Sequence, residues 1–158
     1  FDRLKAALAE ACSELGLPYS VGGTYLAMEG PQFSSQAESF LYRSWGCDVI
    51  GMTNMPEAKL AREAEIPYAT VAMVTDYDCW HEGHDAVTVD AVVKVLHKNA
   101  DNARALVKTV APKLRMRPDV DEQGGDRALE YALITHPQAR DPEMVAKLDA
   151  VAGRVLSS

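Results

Sequence analysis

The stretch that decides the fold reads Tyr68-Ala69-Thr70-Val71-Ala72-Met73-Val74, followed by Thr75-Asp76-Tyr77-Asp78-Cys79-Trp80. A short apolar run that is rich in β-branched residues and ends in polar groups predicts a buried strand of an α/β sheet. Ligands of such sheets bind at the carboxyl ends of the strands. Asp76 and Asp78 are therefore candidates to meet a ligand that carries hydrogen-bond donors or exchanges a proton. Taken alone, the pair fits an Asx-type turn or a helix cap equally well.

Helices and strands alternate around this stretch. Apolar spacing, together with Gly and Pro stop signals, predicts helices over 3–15, 35–45, 56–64 and about 88–110. The same patterns predict strands over 19–28 and 48–52. Ser35, with Glu38 nearby, marks the start of the second helix, and Pro56 lies in the first turn of the third. This order predicts an α/β fold with a sheet flanked by helices.

The composition changes after Pro112, because residues 115–125 are charged and interrupted by Pro and Gly. We interpret this stretch as a surface loop. Two short helices are expected after it, near 126–134 and 142–156, the second with an apolar face. The chain therefore divides into residues 1–114, which form the main part of a domain, and residues 115–158, a loop and helical tail.

Composition narrows the class of protein. The chain has 158 residues, of which 47% are hydrophobic and 25% charged, enough to bury the core of one domain. A net charge of -7 argues against a nucleic-acid or anionic-membrane surface. Three scattered cysteines suit reduced thiols in a cytoplasmic protein. The chain starts at Phe1, not Met, and opens in a helical pattern, so we expect it to be part of a longer protein.

Three predicted strands end in unusual polar or aromatic groups, at residues 30–34, 51–54 and 75–78. If the strands are neighbours, these groups line one rim of the sheet and form a ligand site. Each group also has a simpler explanation. Phe33 suits a core position, Met52 suits a packing gap, and Thr53 suits a cap on the following helix.

A metal site is the competing interpretation of residues 76–85, where Asp76, Asp78, His81, Glu82, His84 and Asp85 lie close together in sequence. The two histidines are three residues apart with a Gly between them, which differs from the four-residue spacing of the zinc helix motif. We therefore expect no metal and interpret these charges as a solvated loop. No local feature marks a cysteine as an activated nucleophile.

Several linked motifs resemble the S-methyl-5'-thioadenosine phosphorylase family. They are Glu29-Gly30-Pro31-Gln32-Phe33-Ser34-Ser35, Ala37-Glu38-Ser39, Trp45-Gly46-Cys47-Asp48-Val49-Ile50-Gly51-Met52-Thr53, Pro56-Glu57 and Thr75-Asp76-Tyr77-Asp78-Cys79-Trp80. The resemblance runs from about 20 to 111 and covers roughly the carboxyl-terminal half of such an enzyme. It implies a mixed sheet flanked by helices, as in purine nucleoside phosphorylases, with residues 1–114 supplying the base, ribose and methylthio side of the site.

The resemblance also implies a reaction, the phosphorolysis of methylthioadenosine to adenine and methylthioribose 1-phosphate. Phosphate is then a co-substrate, and no metal or organic cofactor is needed. By this resemblance Phe33 packs on the purine, Met52 lies against the ribose and Thr53 contacts phosphate. Val89 and Val92 match an apolar wall for the methylthio group, although both also suit the buried face of a helix.

Asp76 and Asp78, with the backbone around Tyr77, would hold the edge of the base. Expelling a purine leaves negative charge on the ring, and protonation at N7 relieves that charge. We assign this acid role to Asp76, which requires a dry pocket, and a supporting role near the 6-amino group to Asp78.

Base preference follows from two positions. Related enzymes that act on 6-oxopurines carry Glu in place of Ser34 and Asn in place of Asp76. Adenine offers an acceptor at N1 and donors at its 6-amino group, whereas a 6-oxopurine offers a donor at N1. Ser34 and Asp76 therefore favour adenine.

The family's main phosphate-binding loop belongs to the amino-terminal half, which residues 1–158 do not match. We therefore expect this chain to associate with an amino-terminal fragment of the same protein in a trimer-type assembly and to be inactive alone. Two alternatives stay open. One is a phosphorylase for methylthioinosine or another purine nucleoside, and the other is a noncatalytic nucleoside-binding module.

Overall fold

The computed structural model describes residues 1–81, 89–115 and 124–156, without the side chains of 89, 91 and 92. Its elements, in chain order, are α1 (Asp2–Glu14), β1 (Tyr25–Ala27), α2 (Gln36–Ser44), β2 (Val49–Gly51), α3 (Glu57–Glu63), α4 (Val89–Arg115) and α5 (Pro142–Leu156). The three helices predicted before residue 68 are confirmed to within one or two residues at each end. No helix in these described ranges is long and apolar enough to cross a membrane.

Helix α2 starts where the sequence predicts, because Ser35 and Glu38 form a reciprocal capping box. The Ser35 amide donates to Glu38 Oε2 at 2.7 Å, and the Glu38 amide donates to Ser35 Oγ at 3.3 Å. The hydrogen bond from the Ser35 backbone is the main reason that the pKa of Glu38 is lowered. This cap sets the direction in which α2 leaves the loop that carries Phe33.

Strands β1 and β2 pair in parallel, with Leu26 opposite Ile50 in the central register position. Both are shorter than predicted, since residues 19–24 and Met28 lie outside β1. The Met28 amide nevertheless donates to the Gly51 carbonyl at 3.0 Å. The two strands therefore end side by side, which brings the loops after them, around residues 30–34 and 52–54, to the same edge.

The predicted strand over 68–74 is wrong for the described residues, where β1 and β2 are the only paired strands. The segment is not buried either, since Val71 is 42% and Val74 60% exposed. It is held by side chains of other elements, including Asn99, whose Nδ2 donates to the Val74 carbonyl at 3.0 Å. A strand exists only where a neighbour pairs its N–H and C=O groups, and apolar composition does not specify that neighbour.

The buried core in the described chain lies between α1 and α4. Ala7 and Ala11 are fully buried against Leu106 and Val110, and Cys12 lies beside them. Two small alanines on one face let the helices approach closely. The reduced thiol of Cys12 is thus a core group, as expected of a small apolar side chain.

Helix α4 was predicted to end near residue 110, but it continues through Pro112 to Arg115. Lys113 in this last turn donates to Glu10 Oε1 at 2.8 Å and Glu14 Oε1 at 2.5 Å. The hydrogen bond to Glu10 is the largest reason that the pKa of Lys113 is raised. These ion pairs with α1 stabilise a last turn in which Pro removes one backbone hydrogen bond.

The tail follows the prediction in part. Helix α5 is confirmed, whereas the predicted helix over 126–134 is a short 3-10 helix, Gly125–Arg127, followed by turns. Most of the predicted loop over 115–125 lies outside the described residues. Glu65, which follows α3, accepts from Arg154 Nη2 at 2.6 Å and from the Leu129 amide at 3.0 Å. This one carboxylate therefore fastens both parts of the tail to the main domain.

Candidate active site

An open cleft of about 1410 Å³ runs along β1, β2 and the loops that follow them, between α2, the 68–78 segment and α4. Most of the predicted site residues line it. These are Phe33, Met52, Thr53, Asp76, Tyr77 and Asp78. The three groups of residues that the sequence places after separate strands thus meet at one cleft, although the third segment is not itself a strand.

Phe33 and Ser34 lie in the loop between β1 and α2. Phe33 is 87% exposed and lines the cleft, so the alternative of a core position does not describe it among the described residues. Ser34 is half-buried and is not among the residues that line the cleft. Its hydroxyl donates to Met28 Sδ at 3.7 Å. An uncovered aromatic face at the rim is suited to packing on a flat ring.

Met52 is half-buried and packs against Gly30 from the neighbouring loop. Gly30 has φ +71°, and a Cβ there would lie 2.7 Å from Met52 Sδ. The thioether therefore occupies the space that a side chain at position 30 would need. The Met52 side chain thus lies against Gly30 and lines the cleft.

Thr53 and Asn54 do not cap α3 through their side chains, since the residue before that helix, Pro56, makes no such hydrogen bond and Asn54 is engaged elsewhere. Asn54 Oδ1 accepts from the Tyr68 hydroxyl at 2.9 Å and from Thr70 Oγ1 at 2.7 Å. The hydrogen bond between Tyr68 and Glu57 Oε1, at 2.8 Å, raises the pKa of Tyr68. These contacts attach the start of the 68–78 segment to the loop after β2 and to α3. Thr53 itself is exposed.

Asp76 and Asp78 have different surroundings. Asp76 is exposed, and its Oδ2 accepts from Thr75 Oγ1 at 3.0 Å. Asp78 is half-buried and accepts from Ser39 Oγ on Oδ2 at 2.7 Å and from the Cys79 amide on Oδ1 at 2.9 Å. Asp78 thus has a role in holding its own loop, whereas Asp76 faces the open cleft. The dry pocket that an acid requires is not provided around Asp76 by the described part of this chain.

Aromatic side chains surround the end of this loop. Tyr77 stacks on His81 with ring centroids 4.6 Å apart, and Trp80 meets Tyr77 edge-on at 5.9 Å. The Arg43 guanidinium of α2 lies 3.5 Å above the Trp80 ring. A cation over an aromatic face is attractive and here joins α2 to the loop.

Sequence reasoning missed Ser39, Arg43 and Trp80 as site residues, although all three line the cleft. A signal was present for the first, because a small hydroxyl one turn after the Ser35 cap lies on the inner side of α2. A helix prediction identifies such a face but does not identify the loop that packs on it.

The predicted methylthio wall and the metal question both involve residues that lie partly outside the described ranges. Val89 and Val92 lie in the first turn of α4, and their side chains are outside the described set. Within the described ranges there is no group of three or more His, Cys, Asp or Glu side chains placed to hold a metal. Glu82, His84 and Asp85 of the predicted acidic and histidine-rich loop also lie outside these ranges.

Comparison with known protein families gives a match over most of the chain. A model described as the phosphorylase superfamily matches residues 2–112. A Rhodospirillum rubrum protein named S-methyl-5'-thioadenosine phosphorylase is 63% identical over 155 residues, covering 98% of this chain and 51% of that protein. A Cereibacter sphaeroides protein of the same name is 62% identical over 98% of this chain and 53% of its own length. The chain therefore spans about half the length of the curated relatives it matches.

Solved structures give the same result. A methylthioadenosine phosphorylase from an antarctic soil metagenomic library superposes with a TM-score of 0.85 at 41% identity, covering 95% of this chain and 53% of that one. An adenosine/methylthioadenosine phosphorylase variant from Schistosoma mansoni, in complex with adenine, superposes with a TM-score of 0.72 at 27% identity, covering 83% and 52%. These matches confirm the predicted fold class, an α/β sheet flanked by helices of which this chain supplies one part.

Proposed function

This chain belongs to the phosphorylase superfamily, and on that premise we propose that its protein phosphorolyses S-methyl-5'-thioadenosine to adenine and S-methyl-5-thioribose 1-phosphate. The observation that carries the proposal is the meeting of Phe33, Met52 and Asp76 at one cleft. An aromatic face suits packing on a purine, a thioether suits apolar contact with a sugar, and a carboxylic acid suits protonation of a leaving nitrogen. The names of the relatives support the choice of nucleoside.

The base would lie on Phe33, with its edge toward the 76–78 loop. Asp76 would deliver a proton to N7 as the glycosidic bond breaks, which neutralises the charge left on the purine. Its exposure in this chain is compatible with that role only when substrate and the rest of the protein exclude water. Asp78, already oriented by Ser39, would accept from the 6-amino group of adenine.

The sugar and the phosphate would lie on the β2 side of the cleft. Met52 packs against Gly30 and would contact the ribose with its thioether. The exposed Thr53 hydroxyl would donate to phosphate, the co-substrate that attacks the anomeric carbon. Val89 and Val92, at the start of α4, would form the apolar wall for the methylthio group.

One hydroxyl is a weak binding site for a phosphate dianion, which proteins usually hold with several charged or backbone donors. We therefore propose that an amino-terminal part of the same protein completes the phosphate side and that residues 1–158 alone have little activity. The assembly would be a trimer, the reaction would use no cofactor besides phosphate, and the protein would work in the cytoplasm.

Release of adenine that depends on phosphate tests the proposed function in the full-length protein. A nucleoside-binding module would bind the nucleoside and release no base. A hydrolase would release adenine at the same rate without phosphate.

A further inference from the structure

Ser39 is the one polar side chain in the described ranges that is fully buried, with 1% of its surface exposed. Its hydroxyl donates to Asp78 Oδ2 at 2.7 Å across 39 residues of sequence. A buried hydroxyl requires a partner, and here the partner is a carboxylate of the candidate site. The contact therefore joins the interior of α2 to the base side of the cleft.

Two further side chains of α2 reach the same loop. Gln36 Nε2 donates to the Cys79 carbonyl at 3.3 Å, and Arg43 lies over Trp80. Positions 36, 39 and 43 are spaced by three and four residues, so they share one face of the helix. This face of α2 contacts three consecutive residues of the loop, Asp78, Cys79 and Trp80.

The two carboxylates differ in how many hydrogen bonds hold them in place. Both oxygens of Asp78 accept hydrogen bonds from the protein itself, Oδ2 from Ser39 and Oδ1 from the Cys79 amide. Each carboxylate oxygen has a second lone pair, so Asp78 can still accept from a ligand in a fixed orientation. Asp76 accepts only from the adjacent Thr75 in the described structure and has no such external support.

We propose that Ser39 is a positioning residue that sets the Asp78 carboxylate to receive the 6-amino group of the base. The proposal rests on the proposed function and adds to it a residue outside the loop that determines base recognition. Without the hydroxyl, the Asp78 carboxylate keeps the Cys79 amide as its partner on Oδ1 but loses the partner on Oδ2, so the site must order that oxygen when each substrate binds. That cost is specific to substrates whose base donates a hydrogen bond at position 6.

The test measures kcat/KM of the full-length protein for S-methyl-5'-thioadenosine and for its analogue with hydrogen in place of the 6-amino group. Ser39→Ala removes the donor, and Ser39→Cys nearly keeps the volume while leaving only a weak donor. We expect each variant to lose about 10-fold on the 6-amino substrate, the order of magnitude for a hydrogen bond to a charged group. The loss on the 6-hydrogen analogue should stay within about 2-fold, because that base makes no bond to Asp78.

Ser44→Ala is the matched control, because it removes a hydroxyl from the same helix whose bond, among the described residues, is to the Leu41 carbonyl at 2.6 Å. It should leave the ratio of the two substrates unchanged. If Ser39→Ala does not fold, Ser39→Cys decides the question on its own.

Equal losses on both substrates would show that Ser39 is merely structural and would overturn the proposal. Unchanged kinetics in a folded variant would overturn it as well. A wild-type protein that releases no base from either nucleoside would instead overturn the proposed function, and this inference with it.

Discussion

Gly30 and Met52 lie so close that no side chain fits between them, since a Cβ on Gly30 would be 2.7 Å from Met52 Sδ. The contact joins the loop after β1 to the end of β2 and holds the thioether at the rim of the cleft. A side chain at position 30 would therefore have to move the Met52 side chain, which the proposed function places against the ribose.

We expect Gly30→Ala to raise the KM for the nucleoside several-fold, because the new methyl group displaces the Met52 side chain. Gly46→Ala is the control, since Gly46 also has positive φ, +77°, but has open space where its Cβ would be. Each variant should lose about 1–2 kcal/mol of stability from the left-handed backbone conformation. Steady-state kinetics and thermal unfolding of both variants check this, and equal KM values for the two would contradict it.

Asp76→Asn should lower kcat by about 10²–10⁴-fold, the usual contribution of a general acid. Substrate binding should change much less, because the amide still fits the space of the carboxylate. Asp101→Asn removes the same charge from α4, where Asp101 pairs with Arg104 in solvent, and should leave kcat unchanged. Near-normal turnover by Asp76→Asn would rule out the acid role.

Base preference should favour adenine nucleosides over 6-oxopurine nucleosides. By the proposed function Ser34 would face N1, where the donor of a 6-oxopurine would require a carboxylate, and an unmatched buried polar group is costly. We expect kcat/KM for S-methyl-5'-thioadenosine to exceed that for inosine by at least about 100-fold. Faster cleavage of inosine would place the protein among the 6-oxopurine phosphorylases.

The ion pair between Glu65 and Arg154, which holds the tail, should contribute less stability at low pH. The hydrogen bond from Arg154 is the main cause that lowers the pKa of Glu65 from 4.5 to about 2. A carboxylate whose pKa is lower in the folded state contributes its full stability above pH 4.5, and the contribution is lost as pH falls toward 2. The melting temperature of wild type should therefore exceed that of Glu65→Gln by more at pH 7 than at pH 3.

Glu143→Gln is the control for that experiment, because it removes an exposed ion pair with Lys147 on the same tail. Exposed pairs contribute little, so its melting temperature should stay near that of wild type at both pH values. A difference for Glu65→Gln that does not change with pH would show that the carboxylate is not responsible.

The elements that sequence predicted well are those specified by local signals. Ser35 and Glu38 form hydrogen bonds to each other within one turn, so the start of α2 can be predicted from four residues. Gly16, with φ +63°, follows directly on the turn that ends α1. Such signals act over a few positions and need no knowledge of the rest of the chain.

The errors concern features that depend on distant partners. A strand over 68–74 would require a neighbouring strand, which the described residues do not supply, and its apolar composition was the only clue. Helix α4 continues past Pro112, and Lys113 in its last turn pairs with Glu10 and Glu14 on α1, about a hundred residues away in sequence. Ser39 was overlooked as a site residue for the same reason, since its partner Asp78 is brought to it by the fold.

The most direct measurement of the central claim is adenine release from S-methyl-5'-thioadenosine by the full-length protein, with and without inorganic phosphate, beside residues 1–158 alone. We predict rapid release that requires phosphate and yields methylthioribose 1-phosphate in equal amount, with little activity from residues 1–158. Release at the same rate without phosphate, or none from the full-length protein, would contradict the proposed phosphorolysis.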